Sequence, residues 1–179
     1  MPEIQIRPAI SSHINELISI DHSYTSSYVW QMEIQQSKDQ VSARFRKVHL
    51  PRSVRVKYPR PFRKLPDDWT ERSGLLVAIH EETPVGYVSL DLSIAPGTAW
   101  ITDLVVKRRM RRQGIASVLV LAAREWGVQH DCRNLVIEMQ PKNHPAIQLA
   151  SKLGFVFCGY NDRYYANGDI GLFFSKHLG

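Results

Sequence analysis

Trp100-Ile-Thr-Asp-Leu-Val-Val-Lys107, followed by Arg108-Arg-Met-Arg-Arg-Gln-Gly-Ile-Ala116, is the stretch on which the reading of the fold turns. An apolar strand feeds a basic loop, and the loop opens a helix. Beyond it Ile115, Val118, Leu119, Ala122 and Trp126 recur at i, i+3, i+4, i+7 and i+11, which predicts a helix that buries this stripe, with Ser117, Arg124 and Glu125 mostly off it. The first N–H groups of such a helix have no carbonyl partners and lie at the positive end of its dipole, so they are a receptor for phosphate. Gly114 lacks a Cβ and lets the loop curl close to such a ligand, while Arg108, Arg109, Arg111 and Arg112 add positive field. The expected ligand is a di-anion.

Gly127 and Asp131 mark the end of this helix, and Leu135-Val-Ile-Glu-Met139 is the next strand. A strand reached by a helical crossover favours parallel pairing with the strand before it. Asn143 or His144 then caps a second helix whose first turn tolerates Pro145; Ala146, Leu149, Ala150 and Leu153 face inward and Gly154 ends it. Residues 155–160 and 170–175 read as two closing strands. Upstream, residues 4–7 alternate as a short strand, and residues 11–20 form a helix with Ile14, Leu17 and Ile18 on one face. Residues 75–79 and 85–92 form a hairpin about Glu81-Glu-Thr-Pro84, and Ile94-Ala-Pro-Gly97 continues the meander to Trp100.

The pattern Arg111-x-x-Gly114-x-Ala116 between strand and helix, followed by the strand at 135–139 and the capped helix from Asn143 to Gly154-Phe155, closely resembles the GNAT superfamily of N-acetyltransferases. The tail Arg163-Tyr-Tyr-Ala-Asn-Gly-Asp-Ile-Gly-Leu-Phe-Phe174 is similar to two of its branches, the streptothricin acetyltransferases and the acetyltransferases of ribosomal-protein N-termini. The resemblance implies an α/β fold of the α+β kind. Its central sheet would be mixed but mostly antiparallel, flanked by helices, with parallel fourth and fifth strands that splay apart to admit the pantetheine arm of acetyl-CoA. It further implies cofactor contacts from Leu104, Val105 and Val106, from the loop residues Arg111, Arg112, Gln113, Gly114, Ile115 and Ala116, and from Asn143 and Lys152. A bulge near 104–106 would free a backbone N–H to stabilise the oxyanion of acyl transfer.

Acetyl transfer to an amine requires a neutral nitrogen, and an alkyl ammonium with a pKa near 10 supplies only about one in a thousand at neutral pH. Glu138 stands where several members of the superfamily carry a glutamate that takes this proton, often through water. Burial between splayed strands would raise its pKa toward the working range; the alternative is an ion pair with a lysine or arginine. The superfamily's Leu-Tyr-x-Lys-x-Gly-Phe reads Leu149-Ala150-Ser-Lys152-Leu-Gly154-Phe155 here, so Ala150 replaces the tyrosine that serves the leaving thiolate. Tyr164, Tyr165 or water would then take that role. Asp103 is an alternative contact for the acceptor amine or a solvent-side residue of its strand. Tyr24, Tyr28 and Trp30 fall where the superfamily places a loop and second helix beside the acceptor; packing of the first helix on the sheet is their other reading.

With 179 residues, 44% of them hydrophobic, the chain suits a single domain over residues 1–179. From Arg44 to Lys64 it carries nine basic residues and no acidic one. Residues 41–50 and 54–58 alternate at period two about Pro51-Arg-Ser, predicting a basic hairpin insertion at about 41–66, either a solvated edge or a face for an acidic protein or RNA. Pro59, Pro61 and Pro66 mark the stiff connection that follows. The net charge of +6 favours anionic partners without naming one. Nucleic acid is not the expected partner, because that reading leaves Gly114, Glu138 and the strand–helix order unexplained.

Cys132 and Cys158 lack C-x-x-C spacing and a histidine cluster, so both read as reduced and structural, with no metal. No run of eighteen apolar residues and no signal-peptide profile occur, so a cytoplasmic protein without membrane association is expected, monomer or homodimer. The function expected is N-acetyltransfer from acetyl-CoA, by direct attack, to a primary amine of a small molecule or of a peptide or protein N-terminus. The alternative is a non-catalytic acyl-CoA-binding module with a basic surface for a partner.

Overall fold

Among the described residues the chain forms nine strands and four α-helices. The computed structural model describes residues 2–179. Its strands are β1 (Gln5–Pro8), β2 (Tyr24–Gln36), β3 (Val41–Val56), β4 (Gly74–His80), β5 (Thr83–Asp91), β6 (Thr98–Val106), β7 (Asn134–Met139), β8 (Val156–Asn161) and β9 (Gly171–His177). The helices are α1 (Ser11–Ser19), α2 (Leu65–Asp68), α3 (Ile115–Gln129) and α4 (His144–Lys152). Seven strands form one sheet in the order β1-β4-β5-β6-β7-β9-β8, antiparallel throughout except at β6 and β7. Counted from β1, these two are the fourth and fifth strands, so the mixed sheet expected from the sequence is the one observed.

Apolar runs in β4 and β5 are buried on both faces, as strands covered on both sides must be. On one face Ile14 and Leu17 of α1 pack with Leu65, Val77, Tyr87 and Val105. On the other, Ile115 and Leu119 of α3 and Ile147 of α4 pack with Leu135, Ile137 and Phe174. The α3 stripe is rotated from the predicted one: Ile115, Leu119, Val120, Ala123 and Gly127 are buried, while Val118, Ala122 and Trp126 are half-buried. Gly127 does not end the helix. A Cβ there would lie 3.1 Å from Leu178 and 3.3 Å from Ala99, so its missing side chain serves close packing. In α4 the inward residues are His144, Ile147 and Ala150, with Ala146, Leu149 and Leu153 half-buried. Cys132 is buried, but Cys158 is exposed on the edge strand β8.

The predicted hairpin within 41–58 is not formed. β3 runs unbroken through Pro51 and pairs with β2 in a separate two-stranded ribbon, which reverses where the Ser37 N–H donates to Gln40 O at 2.8 Å. Ser26 faces Val54 while Tyr28 faces His49, so residues 50–53 bulge out opposite Ser27. Pro51 sits in that bulge, where its missing N–H interrupts no ladder bond. The stretch 24–30, read as loop and helix, is strand for the reason its composition suggests: Tyr24, Thr25, Tyr28, Val29 and Trp30 are β-branched or aromatic.

Candidate active site

Pairing between β6 and β7 runs from Thr98 opposite Asn134 to Ile101 opposite Ile137, and stops there. Against β5, Leu90 faces Ile101 and Ser89 faces Asp103, so Thr102 is an extra residue; the bulge lies there rather than at 104–106. Beyond it the two strands part around a cavity of about 50 Å³, lined by Thr102, Leu104, Glu138, Asn143, Ala146 and Tyr165 among others. The Lys107 N–H donates to Val85 O at 2.7 Å. Alternation along the antiparallel ladder then turns the Val105 N–H toward β5 and leaves those of Leu104 and Val106 facing the gap. The side chains of Val105 and Val106 themselves are buried in the two cores.

The loop after β6 bends through two left-handed residues, Arg112 at φ 64° and Gly114 at φ 88°. Gly114 is the N-cap of α3 and offers no capping side chain, so the N–H groups of Ile115, Ala116 and Ser117 point out of the helix end. Arg108, Arg109 and Arg112 are exposed around them, and the Gln113 amide donates to Arg109 O at 3.1 Å. Arg111 is otherwise engaged. Its guanidinium donates to the carbonyls of Val106 (2.8 Å), Ser23 (2.8 Å) and Asp21 (2.7 Å), tying the loop after α1 to the end of β6. These unfilled donors and the missing Cβ fit the pyrophosphate of a nucleotide-like ligand. Arg111 builds the site rather than lending it a free charge.

Glu138 is the centre of the second cluster. Its side chain has no solvent exposure and forms an ion pair with Arg60. Oε1 accepts from Arg60 Nε at 2.8 Å and from Arg60 Nη2; Oε2 accepts from the Trp100 indole at 2.7 Å and the Tyr164 hydroxyl at 2.6 Å. Burial pushes the Glu138 carboxyl above the usual carboxylate range, while Arg60 and the hydrogen bonds pull against that rise. Burial likewise raises the Tyr164 hydroxyl, and its bond to Glu138 adds to the effect, so it stays protonated. Arg60 also lies over the rings of Tyr164 and Tyr165, 5.9 and 5.8 Å from their centroids.

Asp103, buried on β6, accepts from the Tyr58 hydroxyl at 2.6 Å and from Arg72 Nη1 at 2.8 Å. Arg72 also donates to Asp68 at 3.0 Å and Ser89 at 2.8 Å. This network floors a cleft of about 400 Å³ whose charged lining is Arg60, Arg72, Asp68, Glu71, Asp91 and Asp103. Four carboxylates thus face two guanidiniums on a chain of net charge +6. Among the described residues Glu71 and Asp91 have no ion-pair partner, which leaves the cleft acidic. Thr102 borders both cavities, and the Arg60–Glu138 pair spans from one to the other.

The remaining predicted residues fall as follows. Tyr165 lines the smaller cavity, and its hydroxyl bonds to no described residue. Asn143 lines the same cavity and caps α4, its Oδ1 accepting from the Ala146 N–H at 3.2 Å. Ala150 is buried in the core, and Ala146 is the residue of α4 at the cavity. Lys152 is exposed in the last turn of α4 and lines neither cavity. Tyr24 donates to Gln140 at 2.7 Å, Tyr28 packs on His49 and His144, and the Trp30 indole donates to His144 Nδ1 at 3.4 Å. These three seat the ribbon on α4 and the end of β7, and line neither cavity. Arg60, Arg72 and Tyr58 were not read as site residues. The one local signal for Arg60 is its place between Pro59 and Pro61.

A family model described as the acetyltransferase (GNAT) family matches residues 42–155. The streptothricin acetyltransferase of Escherichia coli is 31% identical over 102 residues, 55% of this chain and 58% of that protein. N-alpha-acetyltransferase 30 of Xenopus laevis is 39% identical over 69 residues, 38% of this chain and 25% of that protein. The chain therefore spans less than two thirds of the length of these relatives. Among solved structures, that of nourseothricin acetyltransferase matches with a TM-score of 0.81 over 98% of this chain and 99% of the other; at 20% identity this is a likeness of fold.

Proposed function

The chain belongs to the acetyltransferase (GNAT) family, and on that premise we propose that it is an acetyl-CoA-dependent N-acetyltransferase acting on a cationic primary amine of a small molecule. The observation that carries the acceptor class is the acidic cleft meeting the buried Glu138 at Thr102. Unpaired carboxylates at Glu71 and Asp91 attract a cation. A peptide α-amine, with a pKa near 8, needs little help to lose its proton, whereas an alkyl ammonium near 10 needs a base. A buried carboxylate supports the second. The non-catalytic reading leaves a buried carboxylate, a gap-facing pair of N–H groups and a free tyrosine hydroxyl together without a task.

When bound, acetyl-CoA supplies a thioester whose C–S bond is exchanged for a C–N bond to the acceptor; the ammonium nitrogen loses two protons in all, one before attack and one as the amide forms, sulfur gains one, and the other passes to solvent. The N–H groups of Ile115, Ala116 and Ser117 would hold the pyrophosphate, and those of Leu104 and Val106 would stabilise charge on the carbonyl oxygen. Glu138 removes the proton that the acceptor ammonium must lose. Burial first, and then the Glu138 charge, push the Tyr165 hydroxyl up, so it holds a proton for the departing sulfur.

Thiol release from acetyl-CoA, measured against diamines, polyamines and N-terminal peptides with acetyl-CoA binding followed by calorimetry, tests this. Di- and polycationic amines are expected to give the highest kcat/KM. Tight binding without turnover on any amine would refute the enzymatic reading, and preference for peptides would refute the acceptor class.

A further inference from the structure

Glu138 and Arg60 are unequal partners. The Glu138 side chain has no exposure, whereas that of Arg60 is 32% exposed and borders the acidic cleft. Pro59 and Pro61 fix the backbone on either side, the Phe62 N–H donates to Arg60 O at 2.9 Å, and the Phe62 ring stacks on buried His22 at 3.8 Å. The main chain is anchored, so a displacement of Arg60 is one of its side chain, whose contacts beyond Glu138 are the Tyr164 hydroxyl at 3.5 Å and the rings of Tyr164 and Tyr165. The bonds divide the same way: Trp100 and Tyr164 hold Oε2, while Arg60 alone holds Oε1. A carboxylate oxygen covered by a guanidinium, which does not give up its proton, has no vacant site for the proton of a substrate.

Building on the acceptor reading above, we propose that Arg60 is a specificity gate. Its guanidinium occupies Glu138 Oε1 as an internal stand-in for the acceptor's cation, and the acceptor ammonium displaces it into the acidic cleft. Asp68, Glu71 and Asp91 border the space that receives the displaced guanidinium. The proton then passes from the ammonium nitrogen to Oε1, leaving a neutral amine and a neutral carboxyl. Glu138 later releases that proton to solvent and pairs again with Arg60. A neutral molecule has no charge to offer in exchange, so displacing Arg60 would strand a buried carboxylate. Arg60 thereby selects for cations before any contact with the rest of the acceptor.

The test uses Arg60→Ala with 1-methylguanidine as the probe. Without acetyl-CoA, calorimetry should detect 1-methylguanidine binding to the variant and at least tenfold weaker binding to the wild type. In turnover the variant should show a KM for the amine lowered about tenfold, with kcat changed far less. Added 1-methylguanidine should raise that KM toward the wild-type value as a competitor, leaving kcat alone. A merely structural Arg60 gives the opposite result: the variant loses kcat, and 1-methylguanidine restores it. That pattern, or no binding of the probe, overturns the proposal.

Arg60→Lys, whose single ammonium makes fewer contacts with Oε1, should fall between wild type and Arg60→Ala, and serves the same comparison if the alanine variant does not fold. If the wild type turns over no amine, the acceptor reading fails. Competition between 1-methylguanidine and 1,5-diaminopentane for Arg60→Ala then decides the gate by itself: competition supports a cation site at Oε1, and independent binding refutes it.

Discussion

Glu138→Gln removes one charge and one proton acceptor while keeping the volume of a side chain that has no exposure. Four bonds converge on the carboxylate. The amide oxygen can serve only one side of that set. The Trp100 indole can only donate and so needs the amide oxygen, the Tyr164 hydroxyl can donate or accept, and the partly exposed Arg60 can turn into the cleft and hydrate, so the oxygen is expected to stay with Trp100. Removing one partner of a buried ion pair costs about 3–5 kcal/mol when the other is trapped. Here the other escapes, and a buried charge is relieved, so a loss of about 1–3 kcal/mol in stability is expected.

The effect on activity should be larger. Loss of a general base corresponds to a fall of about 10²–10⁴ in kcat at neutral pH. Acetyl-CoA affinity should hold, because its proposed contacts are backbone groups of β6 and the loop before α3. The pH profile supplies an independent check. Burial raises the Glu138 carboxyl above its ordinary 4.5, and the base acts only when ionised. The acidic limb of kcat/KM therefore falls at a higher pH than an exposed carboxylate would set, and vanishes in the variant. Thiol release and calorimetry on the same samples read all three quantities. A variant with kcat within tenfold of the wild type, or with acetyl-CoA binding lost in parallel, would refute the assignment of Glu138 as base.

Gly114→Ala places a Cβ at φ 88°, a conformation that costs about 1–2 kcal/mol for a residue with a side chain and that the loop can relieve only by shifting its N–H groups. The acetyl-CoA dissociation constant should rise about tenfold, and an unchanged constant would remove the loop from the binding site. Tyr165→Phe removes the proposed donor to the departing sulfur; because a thiol of pKa near 8.5 also leaves unaided, kcat should fall by about 10², the low end for a general acid, with acetyl-CoA affinity retained. A normal kcat would assign that proton to water. Burial lowers His22 from 6.5, and His13 and His144 shift the same way. The unfolded chain therefore takes up protons that the native state excludes, and stability present above pH 6.5 is lost as pH falls through the native values. The melting temperature should be lower at pH 5.5 than at 7.5, and a flat profile would mean that these histidines charge in place.

The parts of the site that were legible are those written in one contiguous window. The strand, the left-handed glycine and the helix that follows occupy residues 98–129, and their chemistry belongs to the backbone, which any sequence with the right punctuation supplies. The parallel pairing of β6 and β7 is legible from the helical crossover between them, whereas their splay is only what the family resemblance implies. The ribbon was misread because Pro51-Arg-Ser carries the same local signal in a bulge as in a turn. Only the pairing of β3 with β2, set by tertiary structure, separates the two. An ion pair for Glu138 with an arginine was a foreseeable alternative, but its partner lies 78 residues away. Tyr58 and Asp103 are 45 apart. No periodicity reaches that far, and only the fold brings such residues together.

Net charge misleads about this site for a related reason. A charge of +6 points to anionic partners, and the exposed arginines at 108, 109 and 112 agree with it where the donor's pyrophosphate is proposed to sit. Much of the remaining excess is exposed on the β2–β3 ribbon, at Arg44, Arg46, Lys47 and Arg52, where it lines neither cavity. The acidic cleft is assembled from Asp68, Glu71, Asp91 and Asp103, which come from three separate parts of the chain and are outvoted in any sum. An enzyme that joins an anionic donor to a cationic acceptor needs fields of opposite sign on either side of the transferred group. The Arg60–Glu138 pair lies at the seam between them, the one place among the described residues where an arginine of the basic segment is turned inward against a buried carboxylate.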